Sequence, residues 1–239
     1  MASNLLPQAS LVDRPRWESS ISQLLSKANA HTSVYSMITT NSLTIHIHPN
    51  VYSPKYFPES TWYARHLQSL VQGKEFLEVG VGTGIISLYV AQTGSNVHGV
   101  DINPDAVEIS RKNFEANGLK ADLRVSDLFS SLDKNLRVDY VFWNHPWQYS
   151  SHVVEELRSE KTLDEGYKAL TRYIAEGHRY LKEGGAILIG TSCFANLDAV
   201  NAIAHKHGYA VKVEVQGAEK LEDGTEEVYY ILRLCQQSE

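Results

Sequence analysis

Only two cysteines, Cys193 and Cys235, occur in 239 residues, and they form no metal-ligand spacing. A chain of this length buries enough surface to need neither a disulfide nor a structural metal. Cysteine scarcity suits a reducing compartment, so the expected location is cytoplasmic. No apolar run is long enough to cross a bilayer, and the opening MASNLLPQASLVDRPRW lacks the basic-then-apolar layout of a secretory leader. No Lys/Arg cluster stands out, and 22 basic against 28 acidic side chains leave a net charge of −6. Nucleic-acid binders draw most of their affinity from phosphate contacts, so nucleic acid is the less expected partner. Internal repeats and low-complexity tracts are also missing.

What is present is a globular composition, 43% hydrophobic and 21% charged, fitting one large domain or one domain with a small N-terminal appendage. Residues 15–30 carry Trp17, Ile21, Leu24, Leu25 and Ala28 near helical spacing. In SVYSMITTNSLTIHIHP, two strand-like runs flank a Thr-Thr-Asn-Ser turn, which predicts a hairpin. Pro49, Pro54 and Pro58 punctuate the next loop, and a helix is expected at about 59–72. From Lys74 onward, short apolar strands alternate with helical stretches, including a long helix around 164–181 and another at 197–207. Such alternation predicts a parallel sheet with helices on both faces. Gly94, Gly118, Gly184 and Gly208 each stand where a helix needs a left-handed C-cap. The ending differs: AVKVEVQ and EEVYYILRL, joined through Asp223-Gly224, form an antiparallel pair. The expected division is 1–58 for a helix-plus-hairpin extension and 59–239 for the main domain.

The first strand of that domain ends in Glu78-Val79-Gly80-Val81-Gly82-Thr83-Gly84, and an apolar helix follows at once. Glycines here allow a tight turn and close approach of a ligand to the backbone, though a glycine loop alone is also an ordinary strand-to-helix connection. The spacing is GxGxG, and Ile85 stands where a dinucleotide fingerprint wants its last glycine. No Lys-Ser/Thr pair is present for a phosphate loop. The second strand, NVHGVDI, ends in Asp101, which can accept from ribose hydroxyls or serve the helix beginning at Asn103-Pro104. The third ends in Ser126-Asp127-Leu128, placing another carboxylate at the edge where doubly wound folds bind ligands; an adenine amino group would suit Asp127.

FLEVGVGTGIIS, VDINPDAVEIS and VSDLF resemble the successive cofactor motifs of class I S-adenosylmethionine-dependent methyltransferases. The resemblance implies a doubly wound, mostly parallel seven-stranded α/β sheet, Rossmann-like, ending in the antiparallel hairpin. It also implies that Glu78, Gly80 and Gly82 surround the methionine portion of S-adenosyl-L-methionine, with Thr83 and Gly84 also among the cofactor-binding residues. Asp101 would hold the ribose, Ile102 would pack on adenine, and Asp127 with Leu128 would border it.

The fourth strand, VDYVFWN, runs into Asn144-His145-Pro146-Trp147. This resembles the Asn-Pro-Pro-Tyr signature of methyltransferases acting on planar nitrogens, with His145 in place of the first proline. A delocalised nitrogen is a poor nucleophile. Two carbonyl acceptors, the side chain of Asn144 and the backbone of His145, would orient its lone pair and stabilise developing positive charge. Trp147 would stack on the planar group, and Asn144 would also border the cofactor. The imidazole of His145 is a second candidate, as a general base or a packing group. Outside this context, Asn-x-Pro is a common turn ending a strand.

SLTIHIHPNVYSPKYFPEST resembles the strand, loop and Pro-Arg-Pro-x-Thr-Glu segment of release-factor glutamine methyltransferases, with Lys55 at the arginine position and Ser60 or Thr61 near the threonine. LDEGYKALTRYIAEGHRYLKEGG resembles their later helix and glycine turn, so the likeness spans roughly 42–235. The expected activity is therefore N-methylation of a planar nitrogen, with a protein glutamine amide as the leading acceptor. A small-molecule amine, amide or carbon nucleophile comes second, and an RNA adenine third. A non-catalytic binding subunit is disfavoured because Glu78, Asp101 and Asn144 are all kept. Tyr56, Phe57 and Thr61 are expected at the acceptor side or in a lid. No metal is expected: His46 and His48 lie two apart but lack a third ligand at metal spacing.

Overall fold

A computed structural model describes residues 14–150, 159, 161–221 and 223–237; the leader reading of the first residues falls outside them. The chain opens with α1 (Arg14–Asn29), whose predicted apolar positions Trp17, Ile21, Leu24, Leu25 and Ala28 are all buried. An antiparallel hairpin follows, β1 (Tyr35–Ile38) and β2 (Thr44–Ile47), its turn closed by Thr39 N–H donating to Leu43 O at 2.9 Å. Next come α2 (Glu59–Leu70), β3 (Glu75–Val79), α3 (Ile85–Ala91), β4 (Asn96–Asp101), α4 (Pro104–Ala116), β5 (Asp122–Val125) and β6 (Val138–Asn144). The remainder is α5 (Lys168–Gly177), β7 (Leu181–Ser192), α6 (Leu197–Lys206), β8 (Tyr209–Lys220) and β9 (Glu226–Gln236).

Seven strands form one sheet in the order β5-β4-β3-β6-β7-β9-β8. The first four interfaces are parallel and the last two antiparallel, as the sequence predicts. Side chains alternate between its faces, since strand periodicity is two. Leu77, Val141, Ile187 and Leu232 point into one core with α1, α5 and α6. Their neighbours Phe76, Phe142, Leu188 and Ile231 point into the other, with α2, α3 and α4.

The hairpin is held to α4 by side-chain amides that act as a substitute strand. Asn117 accepts from Thr44 N–H (3.0 Å) and donates to Thr44 O (2.8 Å), and Asn113 does the same with His46 (2.7 and 2.8 Å). Asn113 also donates to Thr83 O at 2.8 Å, tying this arrangement to the glycine turn.

Two expectations need correction. The helix predicted over 164–181 is broken: a 3₁₀ turn at Glu165–Tyr167 precedes α5, another at His178–Tyr180 follows, and β7 has begun by Leu181. Gly166 (φ 67°) and Tyr167 (φ 49°) are both left-handed, which a continuous helix forbids. Gly184 consequently caps no helix. It lies inside β7, at a shift in the pairing with β6, beside Gly185, where a Cβ would stand 2.9 Å from Asp139 O. Gly94, Gly118 and Gly208 do take left-handed conformations after α3, α4 and α6.

Candidate active site

The strand register gathers the predicted residues at the carboxyl edge of the sheet. Val79 pairs with Val100 on one side and Trp143 on the other, so Asp101 and Asn144 both emerge alongside Gly80. Asp101 in turn pairs with Val125, which sets Asp127 just beyond.

The turn after β3 runs through Gly80, Gly82 and Gly84, all left-handed (φ 67°, 54° and 79°), a region costly to residues bearing a Cβ. The three glycines do different things. A Cβ on Gly84 would fall 2.2 Å from Ser110 Oγ, and one on Gly80 would fall 2.8 Å from the Trp143 indole nitrogen, so both are packing requirements. At Gly82 nothing stands nearer than 4.0 Å, so its Cα faces room rather than protein. Asp101 fixes this turn: one carboxylate oxygen accepts from Gly82 N–H and the other from Asn103 N–H, each at 2.9 Å. Asn103 caps α4 by accepting from Asp105 N–H at 3.0 Å, so the helix start in this segment is made by Asn103. Thr83 is buried.

Glu78 is buried at the end of β3, and its carboxylate accepts from both N–H (3.0 Å) and Oγ–H (2.5 Å) of Ser87. Burial pushes its pKa up to about 8, against those hydrogen bonds, and Asp101 adds to the rise. Burial likewise raises Asp101 despite its backbone donors.

Beside Asp101, Ile102 is 69% exposed, a large apolar side chain with nothing upon it. Leu128 is buried in a left-handed conformation (φ 49°). Asp127 is exposed, with both oxygens 3.0 Å from Arg172, a surface pair of the kind worth at most about 1 kcal/mol. A glycine turn facing open room, a carboxylate on either side and an uncovered apolar ledge fit a ligand with a polar chain, a ribose and a flat base.

At the end of β6, Asn144 accepts through its side-chain oxygen from the Trp147 indole N–H at 3.2 Å. That leaves the oxygen a second lone pair. Trp147 and Pro146 are half-buried. His145 is 2% exposed, and neither ring nitrogen has a hydrogen-bond partner among the described residues. Burial pushes its pKa down to about 3, so the imidazole is neutral near pH 7. Its ring packs edge-on against Tyr167, centroids 4.9 Å apart.

Of the residues expected at the acceptor side, Tyr56 is half-buried, its hydroxyl 2.7 Å from His31 Nε2, and Thr61 is half-buried on α2. Phe57 is 1% exposed, stacked on Tyr52 at 4.3 Å within the core. Lys55 lies over the rings of Tyr35 and Tyr56. His46 and His48 have separate partners, Ser36 Oγ at 2.8 Å and Asp105 at 3.6 Å, and no three His, Cys, Asp or Glu groups gather at metal spacing among the described residues.

Sequence reasoning missed two buried carboxylates at this end of the sheet. Glu227 is the second residue of β9, which runs antiparallel and so begins at the same edge. It accepts from Trp17 Nε1–H (3.0 Å) and Tyr229 O–H (3.1 Å). Burial, with Glu59 nearby, raises it to about 8; burial raises Glu59 to about 7 against a hydrogen bond from Tyr52. Tyr167, also missed, is fully buried and donates to Trp147 O at 2.6 Å. Trp17 lies 210 residues from Glu227 and Trp147 lies 20 from Tyr167, so nothing local in the sequence marks these contacts.

The methyltransferase small domain family model matches residues 42–215. A Methanocaldococcus jannaschii chain, provisionally named a protein N5-glutamine methyltransferase, is 32% identical over 161 residues, covering 64% of this chain and 78% of that one. Ribosomal RNA small subunit methyltransferase C of Alcanivorax borkumensis is 35% identical over 111 residues, 46% of this chain but 30% of its own length. Among solved structures, the Thermus thermophilus 16S rRNA N2 G1207 methyltransferase, in complex with AdoMet and guanosine, superposes with a TM-score of 0.61 at 23% identity, over 85% of this chain and 50% of that one. The chain thus spans half or less of these two ribosomal RNA enzymes. It belongs to the methyltransferase small domain family and is an S-adenosylmethionine-dependent methyltransferase.

Proposed function

We propose that the chain transfers a methyl group to a planar nitrogen, and that the acceptor is a protein glutamine amide. The observation that carries this is Asn144, whose side-chain oxygen is oriented by the Trp147 indole at the strand end beside the glycine turn. The free lone pair of that oxygen and the backbone carbonyl of His145 would accept the two N–H groups of an amide. Held so, the amide nitrogen is oriented toward the methyl donor, and positive charge developing on it meets two fixed dipoles. The indole of Trp147 would cover the planar face. On this reading His145 acts through its carbonyl; its imidazole is buried, and burial lowers its pKa to about 3, which makes it a weak base for the amide proton.

S-adenosylmethionine supplies the electrophilic methyl when bound. On this reading Glu78, Gly80, Gly82, Thr83 and Gly84 would surround its methionine portion. Asp101 would take the ribose hydroxyls, and Ile102 with Leu128 would enclose the adenine, whose amino group would meet Asp127. An exocyclic base amine is the second reading, because it presents the same planar N–H pair and two relatives are ribosomal RNA enzymes.

The test is transfer of labelled methyl from S-adenosylmethionine into fractionated cell extract. Label in a protein band, and as N5-methylglutamine after hydrolysis, is the expected result. Asn144→Ala should lose at least about 100-fold in turnover while cofactor affinity stays within about threefold. Label confined to RNA or to small molecules would overturn the glutamine assignment.

A further inference from the structure

The signature turn is held from behind by a segment with no part in the cofactor motifs. Residues 162–167 run beside the chain leaving Trp147. Gln148 N–H donates to Thr162 O (2.9 Å), Asp164 N–H to Gln148 O (3.0 Å) and Gly166 N–H to Tyr149 O (2.8 Å). Asp164 anchors this segment to α5, its carboxylate accepting from the N–H groups of Ala169 (3.1 Å) and Leu170 (3.0 Å). The segment ends at Tyr167, a non-glycine residue in a left-handed conformation, φ 49°. That conformation costs about 1 kcal/mol and persists only where its surroundings dictate it.

Here they do. The Tyr167 hydroxyl donates to Trp147 O at 2.6 Å and accepts from Asn196 N–H at 3.1 Å, bridging the signature to the start of α6. The ring meanwhile backs His145 edge-on. Trp147, whose carbonyl is so fixed, donates its indole N–H to Asn144. Two hydrogen bonds therefore run from Tyr167 through Trp147 to the amide that faces the acceptor. In the resembling signature the residue after Asn is proline, which fixes φ by itself. His145 lacks that ring, and although Pro146 after it disfavours helical backbone, its own φ is freer, so an external brace adds to the definition of the turn.

We propose that Tyr167 is a positioning residue for the acceptor site, fixing Trp147 by its carbonyl and thereby the orientation of Asn144. The proposal rests on the reading of Asn144 and Trp147 as the acceptor site.

The experiment compares Tyr167→Phe with Tyr173→Phe, which removes a buried hydroxyl from α5 that donates to Leu188 O at 2.8 Å. A glutamine-containing peptide is the acceptor probe, and 5-fluorotryptophan labelling gives a ¹⁹F signal for each of the four tryptophans. Both variants should lower Tm. Only Tyr167→Phe should lower kcat, by about 10- to 100-fold, with the S-adenosylmethionine Kd within about twofold. Its Trp147 signal should shift or broaden while that of Trp62 stays put. Turnover within twofold of wild type overturns the proposal, whatever the fluorine signals do. If the wild-type chain does not methylate the peptide, the glutamine reading fails by itself, and the fluorine arm decides: an unmoved Trp147 signal in Tyr167→Phe overturns the brace.

Discussion

Around the glycine turn the polar anchors lie within 30 residues of one another in sequence, Asn113 to Thr83 being the longest reach. Ser87 reaches back nine residues to Glu78, Gly82 reaches nineteen to Asp101, and Asn103 reaches two. At the other end of the same sheet edge the anchors are distant: Trp17 to Glu227 across 210 residues, Arg14 to Phe194 across 180, and Tyr63 to Thr191 across 128. One half is made by a strand, a turn and a helix that follow one another. The other is assembled only when α1, α2, β7 and β9 meet. Local assembly lets the glycine turn form from one strand, turn and helix, whereas the far end forms only when distant elements have docked.

The sharpest way to break this contrast is to remove its longest link. Trp17 is 1% exposed, stacked on Phe194 at 4.7 Å and bonded to Glu227. Trp17→Ala should cost about 3–5 kcal/mol in denaturant unfolding, since it leaves both a cavity and a buried carboxylate short of a donor. A cost under about 1 kcal/mol would make α1 a mere appendage and dissolve the comparison.

A smaller effect separates the two halves by pH. Glu227 is raised from 4.5 to about 8, so the folded chain keeps a proton that the unfolded chain sheds. Its contribution to stability is therefore greatest below about pH 4.5 and falls as pH rises toward 8. Glu227→Gln should gain on wild type over that window, by on the order of 2 kcal/mol, in melts at pH 5 and pH 9. A gain independent of pH would show that Glu227 is ionised throughout.

Glu78 provides the counterpart on the cofactor side. Its carboxyl is raised to about 8, and a cationic cofactor favours the ionised form. Binding below pH 8 should release a proton, so the Kd of S-adenosylmethionine should fall by up to about tenfold per pH unit from pH 6 toward 8, then level. In Glu78→Gln the slope should vanish. A wild-type Kd flat over this range would remove Glu78 from the cofactor's electrostatics.

The legibility of the chain follows the same division. Apolar periodicity located α1 and the alternating strands and helices, because each signal lies within one element. The positions of Glu78, Asp101 and Asn144 at the carboxyl edge were legible because each lies at or next to a strand end, where a polar residue interrupts an apolar run. The break before α5 was hidden, since DEGYKALTRYI keeps helical periodicity while Gly166 and Tyr167 leave helical space. Gly184 misled for the opposite reason: it looks like a cap, but the strand has already begun. Glu227 in TEEVYYILRL reads as the polar start of a strand, and nothing local says that Trp17 will cover it.

The amide pairs of Asn113 and Asn117 have one more consequence. A two-stranded ribbon normally offers two rows of unsatisfied N–H and C=O groups, and a second chain can add to either. Along β2 the outward groups of Thr44 and His46 are already taken by those two amides. The ribbon is thereby closed to strand addition on that side. The edge of the hairpin left for strand pairing is that of β1, a stretch of four residues.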